Sequence, residues 1–447
     1  MTYSPHTAAD RAAMLAAIGV ESVDDLFADI PASMRATAFD IPPPLSEQEV
    51  RAELARLAGR NRIPEVSFLG AGAYRRLIPA VVDEVVGRAE FATAYTPYQP
   101  EASQGTLQTI YEFQSLISEL TAMEVASASH YDGATATAEA ALMACRLTGR
   151  DRVAVSQAVH PQVRRVLQTY ASGPGIVVVE VPADLSTGGS GVTEVDAMRG
   201  LVDAEAACLV VQQPNVFGQL ELMPELAGAA HAAGAQFVTL VDPVSLALLE
   251  APGRYGADIV TAEGQPLGIP LAFGGPYLGL MAAGMDAVRQ LPGRLVGATR
   301  DSAGRRGYVL TLQAREQHIR REKAASNICT NQALCALAAT AYLAAVGPDG
   351  LREAAERSTI QARHLVATLE AAGLATRRFS GPYFSEVALH VPDAARRHTM
   401  LVEQGILAGL VLEAEYPELP DTLLLAATEL TTDEDVERLA AALGAAR

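Results

Sequence analysis

Between Ser67 and about Gly279 short apolar runs alternate with amphipathic stretches, and this alternation restricts the fold more than any other feature of the chain. Candidate strands are Val153–Ser156, Ile176–Val181, Ala207–Gln212, Phe237–Val241, Asp258–Thr261 and Leu278–Ala282. Between them, stretches such as Pro161–Tyr170 and Pro224–Ala233 carry a helical apolar pattern. A repeated strand–helix unit predicts an α/β fold with a mostly parallel sheet, because the helix supplies the crossover that parallel neighbours need. In such a sheet ligands gather beyond the carboxyl ends of the strands. The residues to inspect therefore follow the apolar runs: Gln157, Gln213, Asp242 and Glu263.

The flanks read differently. Residues 1–60 predict an N-terminal helical arm, with helices at Asp10–Ile18 and Ser46–Leu57 separated by the breaker Ile41-Pro-Pro-Pro44. A large domain at 61–327 follows. From about Ile328 an Ala/Leu-rich helix begins, and Glu386–His390, Leu423–Ala427 and Asp433–Ala445 predict a smaller C-terminal α/β domain over 328–447.

With 447 residues the chain can bury a large core, and its net charge of -18 would repel nucleic-acid phosphates and anionic lipid, so neither is an expected partner. The opening MTYSPHTAADRAAML has no basic and apolar leader pattern, and no run of about 18 apolar residues occurs, so the expected location is the cytoplasm. Cys145, Cys208, Cys329 and Cys335 form no C-x-x-C pair and have no histidines at zinc-ligand spacing, which predicts buried, reduced thiols and no metal. Of the 34 lysines and arginines, only Lys323 is lysine. Any chemistry that needs an amine side chain must use that residue.

Several stretches have chemical character. Tyr131-Asp-Gly-Ala-Thr-Ala-Thr-Ala-Glu139 precedes an Ala-rich helix, and small residues there let backbone N–H groups approach a phosphate; Asp and Thr also cap helices that bind nothing. Asp242 ends the run Phe-Val-Thr-Leu-Val, where a carboxylate could hold a pyridinium nitrogen protonated or simply make a turn. A pyridoxal enzyme of this layout needs a Schiff-base lysine some twenty to thirty residues later. There the chain reads Ala262-Glu-Gly-Gln-Pro-Leu-Gly268, and a glutamine amide is no nucleophile. Lys323 lies in the basic cluster Glu316-Gln-His-Ile-Arg-Arg-Glu-Lys323, which suits pairing with carboxylates or a partner surface. There is no Gly-Lys-Ser/Thr, no complete dinucleotide fingerprint at Gly70-Ala-Gly72, no H-E-x-x-H and no G-x-S-x-G, so nucleotide enzymes, zinc proteases and serine hydrolases lack support. Ala94-Tyr-Thr-Pro-Tyr-Gln-Pro-Glu-Ala-Ser-Gln-Gly105 is dense in aromatic and amide groups stiffened by two prolines, suited to a site wall, an interface or a plain structured loop.

Several long motifs in one order resemble the glycine dehydrogenase (decarboxylating) subunit 1 family: Phe68-Leu-Gly-Ala-Gly-Ala-Tyr74, Tyr95-Thr-Pro-Tyr-Gln-Pro-Glu101, Gly264-Gln-Pro-Leu-Gly-Ile-Pro270, Phe273-Gly-Gly-Pro276, Leu291-Pro-Gly-Arg-Leu-Val-Gly297, Arg315-Glu-Gln-His-Ile-Arg-Arg-Glu-Lys323 and Asn327-Ile-Cys-Thr330. The resemblance runs from Pro5-His-Thr into the C-terminal domain. It implies a fold-type I pyridoxal-phosphate-transferase-like architecture in which two homologous subunits pair as an alpha2beta2 heterotetramer, with the cofactor lysine in subunit 2. The complete enzyme of that family decarboxylates glycine and passes the aminomethyl group to the lipoyl arm of the H-protein. By this resemblance Gln265 stands where the cofactor-bearing subunit has its lysine. Gly133, Ala134, Thr135 and Asp242 then form, with Gln265, a vestigial cofactor pocket, and no pyridoxal phosphate is bound covalently to this chain. Tyr95, Tyr98, Gln99 and Glu101, with Gly70 and Gly72, are the expected contributors to the partner's site. The sequence departs from the family at Arg75-Arg76, in place of an Asp-His pair, and at Ala262, in place of a glycine. Two rival readings are a self-sufficient pyridoxal homodimer using Lys323, and a silent scaffold.

Overall fold

The computed structural model describes residues 5–36, 40–92, 95–328 and 330–446. It comprises two compact units, Met1–Arg62 and Ile63–Arg447. In the first, helices Ala8–Ile18 and Glu47–Ala58 each begin with a capping box: Thr7 Oγ1 accepts from the Asp10 N–H while the Asp10 carboxylate accepts from the Thr7 N–H, and Ser46 pairs with Glu49 in the same way. Neither helix has a buried residue, and Met14, Ile18, Leu54 and Leu57 are exposed.

The second unit is built on a seven-stranded sheet. Numbered along the chain, its strands are β1 (Val125–Ala126), β2 (Arg152–Ser156), β3 (Val177–Val181), β4 (Ala206–Gln213), β5 (Gln236–Val241), β6 (Ile259–Glu263) and β7 (Gly279–Ala283). Their spatial order is β1-β7-β6-β5-β4-β2-β3. Strands β2 to β6 pair in parallel, and β7 runs antiparallel between β6 and β1. The six predicted strands all form, shifted at their ends by one or two residues. Strand β1 has only two residues, too few to show a period, and was not expected. The hairpin Leu295–Arg300 with Arg306–Thr311 was likewise unforeseen.

Both faces of the sheet are covered, which is why its strands read as continuous apolar runs. Along β4 the side chains alternate: Leu209 and Val211 pack with Phe113, Leu226 and Phe237, while Cys208 and Val210 pack with Met143, Leu167 and Ile259 on the other face. A second, antiparallel sheet has the order Thr376–Arg377, Glu386–His390, Thr422–Ala426, Leu410–Val411. Its own core includes Val387, Leu389, Leu425 and Leu439.

The helix Ala333–Ala371 joins these two cores. Gly347, at φ 60° and ψ -174°, interrupts it, and Pro348 follows without an N–H to continue the ladder. Before the break Ala336, Ala339 and Tyr342 pack against the large sheet; further on, Leu365, Val366 and Leu369 pack against the small one. By length and composition this helix alone, among the described residues, could cross a membrane. Its break and its two packed faces assign it instead to holding the sheets together. Cys208 is buried, whereas Cys145 and Cys335 are half-buried, short of the uniform burial expected; Cys329 lies outside the described residues.

Candidate functional site

A cavity of about 330 Å³ lies at the carboxyl ends of β4, β5 and β6. It is bounded by Gln212 on β4, Asp242 just after β5, Glu263 at the end of β6, the helix start Asp132–Ala134, the loop Ala71–Tyr74, and Glu386 from the small sheet. Two of the four positions inspected for their place after strands, Asp242 and Glu263, thus line it. The other two serve structure: Gln157 Oε1 accepts from the Ala183 N–H at 3.2 Å, and Gln213 Oε1 accepts from the Glu221 N–H at 2.8 Å.

Helix Gly133–Thr148 points its N-terminus into the cavity, and the N–H groups of Gly133, Thr135 and Ala136 there already have acceptors within the chain. Asp132 caps it by accepting from the Thr135 N–H at 2.8 Å. The Gly133 N–H donates to Glu263 Oε2 at 2.9 Å. The other oxygen, Glu263 Oε1, accepts from the N–H groups of Gln265 at 2.9 Å and Leu278 at 3.0 Å. Glycine is required at 133 because a Cβ there would lie 2.8 Å from the Glu263 nitrogen. Burial pushes the Glu263 carboxyl up to about 7, against the opposing pull of its N–H donors.

Gln265 follows two residues later and is almost wholly buried. Its Oε1 accepts from the Tyr74 N–H at 2.8 Å, and its Nε2 donates to the carbonyls of Tyr74 at 3.0 Å and Ile269 at 2.7 Å. One amide thus clamps both backbone groups of Tyr74, fixing the loop that carries Gly70 and Gly72.

The same loop is held by Glu386, whose Oε1 accepts from the Ala71 N–H at 2.7 Å and whose Oε2 accepts from the Tyr74 hydroxyl at 2.6 Å. Gly70 packs behind it, where a Cβ would stand 2.3 Å from Glu386 Oε1. Burial raises the Glu386 carboxyl to about 7 and the Tyr74 phenol well above its ordinary value.

Arg76 turns inward from this loop. Its Nη1 donates to Glu429 Oε2 at 2.7 Å and to Ser358 Oγ at 3.2 Å, and its Nη2 lies 3.9 Å from Asp242 Oδ2. Asp242 also accepts from the Val244 N–H at 2.9 Å, and burial raises its carboxyl. His160 caps helix Pro161–Ser172 and lines the cavity, burial pushing its imidazole below its ordinary value while a ring nitrogen accepts from the Gln162 N–H at 3.2 Å.

The remaining expected residues fall elsewhere. Tyr95, Tyr98, Gln99 and Glu101 are exposed and do not line the cavity, and the Tyr98 ring sits edge-on to His318 with Arg294 over its face. Lys323 is exposed in the short turn Arg321–Lys323, also apart from the cavity lining. Sequence reasoning did not assign Tyr74, His160, Glu386 or Glu429 to the site. The Arg75-Arg76 departure from the family pattern was the one local signal for Arg76.

Comparison with known proteins bears on this geometry. The family model for the glycine cleavage system P-protein matches residues 1–443. The chain is 53% identical over 448 residues to the probable glycine dehydrogenase (decarboxylating) subunit 1 of Moorella thermoacetica, covering 99% of each. It matches the crystal structure of a glycine decarboxylase (P-protein) of the glycine cleavage system in inhibitor-bound form with a TM-score of 0.92 and 45% identity, covering 100% of both chains. A sphingosine-1-phosphate lyase of Burkholderia pseudomallei K96243 matches with a TM-score of 0.68 at 16% identity, a likeness of fold alone, over 93% of each. The architecture is that of fold-type I pyridoxal-phosphate enzymes.

Proposed function

The chain belongs to the glycine cleavage system P-protein family, and from that premise we propose that it is the subunit of a glycine decarboxylase that holds no pyridoxal phosphate, paired with a homologous subunit that does. The observation that carries this reading is Gln265: by the family resemblance it stands where the partner has its lysine, and its amide is engaged with Tyr74 and Ile269.

The residues present do not fit the cofactor. No lysine lines the cavity among the described residues. The Gly133 N–H, which a phosphate would use, is taken by Glu263. Asp242 faces the Arg76 guanidinium where a pyridinium nitrogen would need it. When bound to the partner, pyridoxal phosphate supplies an electron sink for the decarboxylation. The complex then releases carbon dioxide from glycine and hands the aminomethyl group to the lipoyl arm of the H-protein, as a cytoplasmic assembly of two chains of each kind.

This chain's share in the partner's site is Tyr95, Tyr98, Gln99 and Glu101, with Gly70 and Gly72. What supports it is that Tyr95 is 82% and Tyr98 50% exposed, leaving their phenols available to a facing subunit. The test is an absorbance spectrum with pyridoxal phosphate followed by borohydride trapping, first on this chain and then with its partner. A silent spectrum alone, with the adduct on the partner and glycine decarboxylation on mixing, is the expected result. A stable adduct on this chain by itself, mapped to the Lys323 side chain rather than to the α-amine, would overturn the reading.

A further inference from the structure

We propose that the anchor groups of the cavity are engaged by residues of this chain, with the Glu263 carboxylate standing in for the phosphate that a cofactor would bring to the start of helix Gly133–Thr148. The inference rests on the reading that the cofactor sits on a partner, and it names the residues that make this chain independent of one.

A helix N-terminus attracts an anion through unpaired N–H groups and the helix dipole. Here that anion comes from β6: Glu263 Oε2 meets the Gly133 N–H at 2.9 Å while Oε1 takes two further N–H groups from Gln265 and Leu278. The carboxylate joins the helix start, the residue at the lysine position and the entry to β7 in one bonded unit. The approach is close enough that even a methyl group on Gly133 would clash with the Glu263 backbone. While that contact stands, a phosphate cannot take the Gly133 N–H or the space beside it.

The other two anchor points of a pyridoxal cofactor also face groups of this chain, on different elements. Asp242 and Glu429 share Arg76, whose side chain is 2% exposed. Gln265 is spent on the Tyr74 backbone. Anion cradle, pyridinium carboxylate and lysine position thus each have an occupant in the same chain. The consequence is that this subunit forms its cavity unaided, and that phosphate compounds neither enter nor stabilise it.

The full-length chain would be compared as wild type, Glu263→Ala and Glu263→Gln in chloride and in inorganic phosphate at matched ionic strength, by thermal unfolding and by calorimetric titration with phosphate. The wild type should have the same Tm in both buffers and bind no phosphate. Glu263→Ala should melt several degrees lower in chloride, recover part of the loss in phosphate and titrate with saturation. Glu263→Gln, which fills the space but turns an amide N–H toward Gly133, should melt lower without rescue. A Glu263→Ala chain that keeps the wild-type Tm, or that folds yet gains nothing from phosphate, overturns the inference, as does a wild type that binds phosphate at this cradle. Should Glu263→Ala fail to fold in either buffer, amide exchange in the wild type decides: slow exchange at Gly133, Gln265 and Leu278 supports the resident carboxylate, and fast exchange at Gly133 overturns it. A failure here leaves the assignment of the cofactor to the partner standing. Pyridoxal phosphate trapped by borohydride on Lys323 of the isolated wild type would instead remove that assignment.

Discussion

Replacing Gln265 by Met keeps nearly the same side-chain volume and removes only the polar clamp, so it separates hydrogen bonding from packing. Three backbone groups lose their partner: the Tyr74 N–H, the Tyr74 carbonyl and the Ile269 carbonyl. A buried polar group left unpaired costs about 1–3 kcal/mol, and losses that share one side chain do not simply add. The loop keeps its bonds from Ala71 and Tyr74 to Glu386, so the effect is a local opening. Local opening should become easier by about 2–3 kcal/mol, which at tenfold per 1.4 kcal/mol speeds exchange of the Tyr74 amide roughly 30- to 140-fold. The assay is native-state hydrogen exchange at fixed pH, because a chain of this size need not unfold in one step. Unchanged Tyr74 exchange in Gln265→Met would refute the claim that this glutamine has become a structural clamp.

Arg76→Met leaves Asp242 and Glu429 buried without their cation and should cost about 3–5 kcal/mol, read as a lower urea midpoint that partly recovers in acid; an unchanged midpoint would show that Arg76 is not the cavity's counter-ion. Burial holds Glu221, Glu263 and Glu386 at about 7 against an ordinary 4.5, so the folded chain retains protons that the unfolded chain has already released. Their contribution is therefore present below about 4.5, is lost as pH rises to about 7 and is flat above that. Glu386→Gln should flatten part of this slope in urea midpoints measured across the window, and an identical slope would argue against a buried, raised carboxyl. Tyr95→Phe and Tyr98→Phe should lower glycine turnover of the reconstituted complex about tenfold each, the worth of one hydrogen bond of about 1.4 kcal/mol, without moving Tm. Normal turnover and cofactor affinity in both variants would withdraw these tyrosines from the partner's site.

Much of the framework was legible in the sequence because it rests on local periodicity. Strands β2 to β7 announce themselves as apolar runs since a sheet covered on both faces needs apolar residues throughout, and Asp242 and Glu263 follow those runs at the end where a parallel sheet opens. The single lysine and its absence from the segment Ala262–Gly268 exclude a Schiff base there on the sequence alone. Tertiary structure alone decided what fills the cavity. Tyr74 and Glu386 meet across 312 residues, and Glu263 reaches Gly133 across 130. No pattern over a few residues encodes such pairs, because they depend on how the small sheet docks beside the strand ends and on which polar groups burial then forces to find partners. Asp242 shows the division most plainly: its place at the end of β5 follows from the apolar run before it, but its pairing with Arg76 follows only from the loop that burial folds inward.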